Sequence, residues 1–301
     1  MFSKSQEYQK QKIKRILTII SFLVLPILVY LAFVIGPALY SMVYSFTDWS
    51  GVGSSFSWVG FENYITAFNS GPFFNALKNN AIWVGIFITV PTGLGLTLAK
   101  MVDSLKGERF LKTIFYIPMT FSYVVIGLMW SWIYLPESGI LNMALDFVGF
   151  GFLKTAWLSE PSTALIAVII AAVWRQTGLS MVLYLAGLRG LPIEVIEQAK
   201  IDGASSWQRF WKVTFPMLKS TTTVVLSLTM IYALRAFAIV YVMTSGGPNR
   251  ASDVLGTLVY KQLFWNLRAG YGSALAMILF VIILVVVVLF QWRMLSKEVS
   301  F

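Results

Sequence analysis

Cysteine and histidine are both absent from the 301 residues, and only 13 residues are acidic. Without cysteine there is no disulfide, thiolate nucleophile, iron–sulfur cluster or zinc–thiolate site. Without histidine there is no imidazole base, imidazole metal ligand or histidine proton relay. Any catalysis would rest on the 13 carboxylates, lysine, tyrosine, serine or threonine. Charge of either sign is scarce, at 12% of residues, against about 25% in soluble domains. What is present instead is 57% hydrophobic residues and a mean hydropathy of +0.75. This excludes an ordinary soluble globule and points to a polytopic membrane protein. The net charge of +10 would suit nucleic acid. A membrane protein more often keeps such charge on its cytoplasmic side, so no nucleic-acid partner is expected.

Six weakly charged stretches can be read directly. Residues 16–47, 79–99, 113–136 and 269–292 carry no charge, while 161–188 holds only Arg175 and 220–249 only Arg235. Each reaches the roughly 20 residues needed to cross a bilayer. The expected fold is therefore all-α, with six transmembrane helices near 16–43, 76–99, 113–135, 161–188, 219–243 and 270–292. Residues 1–15 and 294–301 flank a single transmembrane domain, 16–293.

Lysine and arginine orient the chain. The N-terminal segment, the 100–112 loop, the 189–219 loop and the C-terminal tail hold 16 of the 23 basic residues. The three alternate loops hold only Lys154, Arg250, Lys261 and Arg268. Both termini and the 189–219 loop are expected in the cytoplasm. The first run is too long for a cleavable signal peptide and reads as a signal anchor, kinked by Pro26, Gly36 and Pro37. Gly85, Pro91, Gly93 and Gly95 are expected to loosen the second span. The outer loops are rich in aromatics, among them Trp49, Trp58, Phe61, Trp157 and Trp265, which suit an interfacial belt. Short amphipathic outer helices touching a partner are an alternative for some.

The 189–219 segment is more than a connector. Pro192 suits a first helical turn, residues 193–201 favour helix, and Asp202-Gly203 reads as a turn or C-cap. Ser205-x-x-Gln208 is a capping-box pattern, and Pro216 is expected to break the second short helix before the fifth span. Its apolar residues Ile193, Ile196, Trp207, Phe210 and Trp211 exceed what a solvated loop needs. They suit packing on the helix ends or insertion into a partner.

Glu197-x-Ala199-x-x-x-Gly203, followed by Val213-x-Phe215-Pro216, resembles the EAA signature of permease subunits of binding-protein-dependent ABC importers. Gln198, Val213 and Phe215 are mild departures from it. Phe110-x-Lys112-Thr113-x-Phe115-x-x-Pro118, Gly139-x-Leu141-Asn142, Trp174, Leu185-Ala186-Gly187-Leu188, Leu191-Pro192, the run from Tyr241 to Pro248, and the run from Gly270 to Ala274 are similar to the carbohydrate-uptake, maltose-type branch. The likeness spans about residues 60–290. The extra N-terminal helices and large outer domain of the enteric maltose permease have no counterpart here.

The resemblance implies a type I ABC importer permease fold whose cytoplasmic coupling helix, in the loop 189–216, docks on an ATPase. Glu197, Ala199, Asp202, Gly203 and Pro216 would carry the coupling. The implied partners are a second homologous permease, two ATPases, an extracytoplasmic binding protein and the lipid bilayer. The chain itself would bind no cofactor and no metal and would not be an enzyme, since ATP and Mg belong to the ATPases and no GxxxxGK[ST] pattern occurs. For Glu197 the competing reading is a surface pair with Lys200.

By register with the maltose-type permease, the resemblance implies a sugar path near Tyr123, Gln176, Thr229 and Ala233, and residue chemistry adds Arg175, Tyr232 and Arg235 as candidates along it. Intramembrane arginines are costly and functional by default. Since no carboxylate lies in any span, their alternatives are hydrogen bonds to neighbouring helices or pairing with the second permease. A neutral oligosaccharide is the default solute, and an anionic derivative such as a uronic-acid oligosaccharide or glycerol 3-phosphate is the alternative. A secondary transporter ranks lower, because that class usually shows intramembrane carboxylates. A membrane-embedded enzyme lacks the residues for its chemistry.

Overall fold

The first apolar run forms α1 (Phe2–Tyr30), a π turn at Leu31–Ile35 and α2 (Gly36–Tyr44) in the computed structural model, which describes residues 2–103, 105 and 107–295. Lys106, Lys297 and the tail beyond Leu295 lie outside the described residues, and the side chains of residues 2–10, Ile13 and Leu295 are likewise left undescribed. Pro37 has no N–H to bond residue 33, and its ring would press on that carbonyl in a regular helix. The π turn widens the backbone just ahead of it, with the Gly36 N–H reaching back to Leu31 O. Pro26, by contrast, lies inside α1 without interrupting it. The most apolar 18-residue stretch of Lys14–Tyr44 buries no residue against the rest of the chain. Only α2 packs on the last helix.

The remaining elements follow in order. They are α3 (Glu62–Phe68), α4 (Gly71–Val102), α5 (Glu108–Thr120), α6 (Tyr123–Ile133), α7 (Ile140–Phe147) and α8 (Ala164–Arg189). Then come α9 (Ile193–Ile201), α10 (Ser206–Arg209), α11 (Phe215–Met217), α12 (Lys219–Leu234), α13 (Ala238–Thr244), α14 (Leu255–Tyr260) and α15 (Ala269–Leu295). Among the described residues four continuous helices are long and apolar enough to cross a membrane, or up to six segments if each of two bent pairs is one span.

Two expected spans are not single helices. The third, placed at 113–135, is α5 and α6 bent by 101°. Phe121 and Ser122 are extended between them, and Ser122 Oγ caps α6 by accepting from the Val125 N–H at 3.3 Å. The fifth, placed at 219–243, ends as a helix at Leu234 and resumes as α13 beyond Arg235–Ala236–Phe237. The second span shows the opposite: α4 runs unbroken through Gly85, Pro91, Gly93 and Gly95.

The centre is the packing of α4 on α8, with α12 on α4 and α5 on α8. Small residues let the backbones approach, as is usual for membrane helices. A Cβ on Gly95 would lie 2.4 Å from Ser180 Cβ and 2.9 Å from the Met181 nitrogen. One on Gly178 would lie 2.3 Å from the Phe115 carbonyl oxygen, so α5 rests directly on α8. At the basic end, Leu96, Ala99, Tyr184, Leu188 and Leu218 form one buried cluster. Toward the other end Trp83, Phe87, Ile126, Ala172 and Val240 form a second. Gly95 and Gly93 provide an internal comparison, since a Cβ on Gly93 meets nothing within 4 Å. Gly95→Ala is expected to destabilise the purified protein by about 1–3 kcal/mol through overpacking, seen as a lower midpoint in thermal unfolding in detergent, while Gly93→Ala leaves that midpoint unchanged or raises it.

Candidate functional site

The basic end carries the first candidate site. Pro192 stands at the N-cap of α9, one residue before the helix proper. The other end of α9 closes as a Schellman motif: the Gly203 N–H bonds Lys200 O at 3.1 Å and the Ala204 N–H bonds Ala199 O at 3.1 Å. Gly203 has φ +81° with open space around a would-be Cβ, so glycine serves the backbone conformation there and not the packing. The spacing from Ala199 to Gly203 is thus the spacing of a helix stop, with the Ala199 and Lys200 carbonyls as its acceptors. Asp202 is the C-cap and accepts from Gln198 Nε2 at 3.3 Å.

Ser205 and Gln208 form a reciprocal capping box that restarts the chain as α10. A π turn at Phe210–Thr214 precedes Pro216 as the one at 31–35 precedes Pro37. The break therefore falls at Leu218, two residues beyond Pro216, with a 69° bend into α12.

The knob is seated by Phe210 and Phe215 on the basic-end cluster. It leaves Ile201 79% and Trp207 72% exposed, with Ile193 and Trp211 also exposed. Glu197 is exposed as well, and among the described residues it pairs with neither Lys200 nor any other cation. Ala199 is half-buried. Beneath the knob, Arg189 pairs with Glu108 and, at 3.7 Å, with Asp103, fixing the end of α8 to the α4–α5 turn.

The second candidate site is a cavity of about 270 Å³ where the two helix breaks meet. Tyr123 comes from the first break and Arg235–Ala236–Phe237 from the second, while Trp83 and Phe87 of α4 form the wall. Non-helical backbone at membrane depth survives only where its polar groups are satisfied or line a cavity, and both breaks meet that condition. Arg175 on α8 donates from Nε to Phe121 O at 2.9 Å and from Nη2 to Met119 O at 3.2 Å, and lies 4.2 Å over the Tyr123 ring. Asn80 on α4 donates to Leu234 O at 3.4 Å and accepts from the Leu255 N–H at 2.8 Å. Neighbouring Asn79 holds the carbonyls of Ala251 and Asp253. Asp253 is buried and ion-paired to Lys261 at 2.7 Å.

Of the positions expected along the path, Tyr123, Tyr232 and Arg235 line this cavity. Arg175 supports it from behind as the clasp of the first break. Gln176 is fully buried with neither amide atom hydrogen-bonded. Thr229 is fully buried and donates back to Val225 O within its own helix at 2.9 Å. Sequence reasoning missed Trp83, Phe87, Phe237 and Asn80. No breaker residue marks 235–237, whereas Pro118 followed by the Ser122 cap was a readable sign of the first break. Arg235 makes no ion pair or hydrogen bond among the described residues and is exposed. The Trp83 indole N–H is buried and without a partner. Aromatic faces, two tyrosine hydroxyls and one guanidinium with no partner among the described residues suit a solute rich in hydroxyl groups.

Comparison with known proteins bears on the family and the fold. The family described as "Binding-protein-dependent transport system inner membrane component" matches residues 91–301. A probable ABC transporter permease of Pyrococcus horikoshii, PH1215, is 37% identical over 270 residues, 89% of this chain and 92% of that protein. The multiple sugar-binding transport system permease MsmF of Streptococcus mutans is 33% identical over 273 residues, 89% of this chain and 92% of that protein. A crystal structure of a bacterial alginate ABC transporter in complex with an alginate pentasaccharide-bound periplasmic protein contains a chain of the same fold. It has a TM-score of 0.81 at 23% identity and covers 93% of this chain and 94% of that one.

The two arginines separate by experiment. Arg175→Met removes the donors to the part-buried Met119 carbonyl and the exposed Phe121 carbonyl, at about 0.5–1.5 kcal/mol per hydrogen bond, and is expected to lower the thermal midpoint of the purified protein. Arg235→Met removes no intramolecular bond and is expected to leave that midpoint unchanged.

Proposed function

Since the chain belongs to the binding-protein-dependent transport inner-membrane component family, we propose that it forms one half of the transmembrane path of an ATP-driven sugar importer. The protein is a multi-pass membrane permease. In the proposed assembly it pairs with a second, homologous permease, receives its solute from an extracytoplasmic binding protein, and is driven by two ATPases that bind the ATP and Mg. Both termini and the α9 knob face the cytoplasm. Carbohydrate as cargo is supported by the names of the sugar-transporting relatives and by the hydroxyl-matching cavity. The second permease is supported by the Lys14–Tyr44 run, whose most apolar stretch is not buried by the described residues.

The observation that carries the proposal is the rigid, exposed helix 193–201 with unpaired Glu197 and a glycine-dependent stop. A short helix capped at its end transmits a displacement that a flexible loop would absorb. Glu197 is free to make a charge-assisted bond to a basic group on the ATPase. Arg189, with Glu108 and Asp103, passes that displacement to α8, and the 69° bend at Leu218 passes it to α12. Both helices adjoin the cavity: Arg175 of α8 holds the first break, and α12 ends at the second. Rocking the basic end would thereby open or close the space between the breaks. Arg235, unpaired beside the cavity, favours a second reading of the cargo as an anionic sugar derivative.

Uptake by the assembled transporter tests the coupling. Gly203→Val forces a β-branched residue into a left-handed conformation costing roughly 1–2 kcal/mol, and Glu197→Lys reverses the charge of the contact. Each is expected to cut uptake by about tenfold or more, the effect of 1.4 kcal/mol, with the membrane level of the chain unchanged and ATP hydrolysis no longer stimulated by binding protein. Gly203→Asn, which tolerates that conformation, keeps most of the uptake. Normal uptake by both Gly203→Val and Glu197→Lys overturns the coupling role. A panel of neutral and uronic-acid oligosaccharides presented on the binding protein separates the two cargo readings, since Arg235→Met impairs uptake of the acidic ones selectively.

A further inference from the structure

The segment between the third and fourth crossings, residues 134–163, has no part in the cavity or the knob, yet it carries an exposed apolar surface. Ile140, Met143 and Phe147 recur at i, i+3 and i+7 and so share one face of α7, and all three are exposed, Phe147 at 92%. Phe150, Phe152 and Leu153 extend the surface over the 3₁₀ turn Gly151–Leu153 and are also exposed.

This face is not free to turn inward. The opposite side of α7 is fastened by Asn142, 2% exposed, which donates to Pro136 O at 2.9 Å and Thr155 O at 3.0 Å and accepts from Trp157 Nε1 at 2.8 Å. Trp157 stacks toward Tyr134, whose hydroxyl donates to Ala167 O of α8 at 3.1 Å. On the shoulder Lys154 and Asp146 neutralise each other at 2.5 Å. The sequence thus spends a buried polar hub on holding a row of large apolar side chains outward.

We propose that α7 and the turn after it lie in the outer boundary of the bilayer, with Phe147 and Phe152 inserted among the lipids as an interfacial anchor. The occupant follows from continuity and from time. The helix begins seven residues after α6, half of a candidate membrane-crossing pair, whose exposed side chains Leu128 and Trp132, with exposed Leu135 just beyond its end, lead into Ile140. The apolar surface therefore runs on from the exposed apolar side of a helix that belongs to a candidate membrane crossing. A partner that docks and leaves would strand the patch in water between visits, whereas a bilayer covers it throughout. An amphipathic helix of this kind sinks about 5–10 Å into the headgroup and acyl boundary. The anchor would fix the height of the α6–α8 connection while the basic end rocks.

The absence of cysteine makes the test direct, because Phe147→Cys and Phe152→Cys are each unique sites in this chain. Each variant is labelled with the environment-sensitive fluorophore NBD in the full transporter, its partner subunits cysteine-free, reconstituted in phosphatidylcholine vesicles. The expected result is blue-shifted emission at both sites, quenched by lipids spin-labelled near the headgroup and insensitive to aqueous iodide, with or without binding protein. Glu160→Cys, on the polar side of the same segment, stays open to iodide. Three results would overturn the proposal: iodide quenching without lipid quenching, protection that appears only when loaded binding protein is added, and protection from both quenchers, which means a protein subunit covers the face. The two sites are exposed and independent, so failure of one variant to assemble leaves the other decisive.

Discussion

Everything about the cavity depends on how the backbone of two interrupted helices is satisfied away from water. In a bilayer an open carbonyl finds no solvent partner in the lipid, so a helix break persists only where the backbone lines a cavity or neighbouring groups supply donors. Here two side chains do so: Arg175 reaches from α8 to Met119 and Phe121, and Asn80 reaches from α4 to Leu234. The donors sit on the two helices that form the centre of the packing. The breaks therefore face each other, and the space between them is the cavity.

This assigns different work to two arginines that look alike in the sequence. Both interrupt long apolar runs, and both have the cost of an intramembrane charge. Arg175 spends Nε and Nη2 on the backbone and lies over the face of Tyr123, while its Nη1 is buried with no partner among the described residues. Arg235 ends α12 beside the cavity with no partner among the described residues, so its charge is available to a solute, to water or to another subunit. The same division recurs at the basic end, where Arg189 is consumed by Glu108 and Asp103 while Glu197 is left open.

Much of this was legible in the sequence, and the rest was hidden for physical reasons. Apolar run length gave the crossings, because burial in hydrocarbon constrains composition directly. Ser205-x-x-Gln208 and Asp202-Gly203 gave the knob, because caps and left-handed stops have narrow residue preferences. The break at 235–237 was not legible, since Arg-Ala-Phe contains no breaker and Asn80, which stabilises it, is more than 150 residues away. The expected loosening of the second span does not break α4, for the converse reason. Gly95 serves close contact with Ser180 on α8, and packing overrides the weak helix propensity of glycine. Pro216 does not end its helix, because the π turn before it absorbs the missing N–H. The positions Gln176 and Thr229 were carried over by register alone, and both are fully buried with no opening on the cavity.

The central claim is that a solute crosses between the two breaks. A structure of the assembled transporter trapped with its solute tests it most directly. The account predicts solute density between Tyr123, Tyr232 and Arg235, within hydrogen-bonding reach of at least one of them and against the Trp83 wall. Solute density held elsewhere in the transmembrane region, with this cavity closed by side chains or filled by lipid, would contradict it.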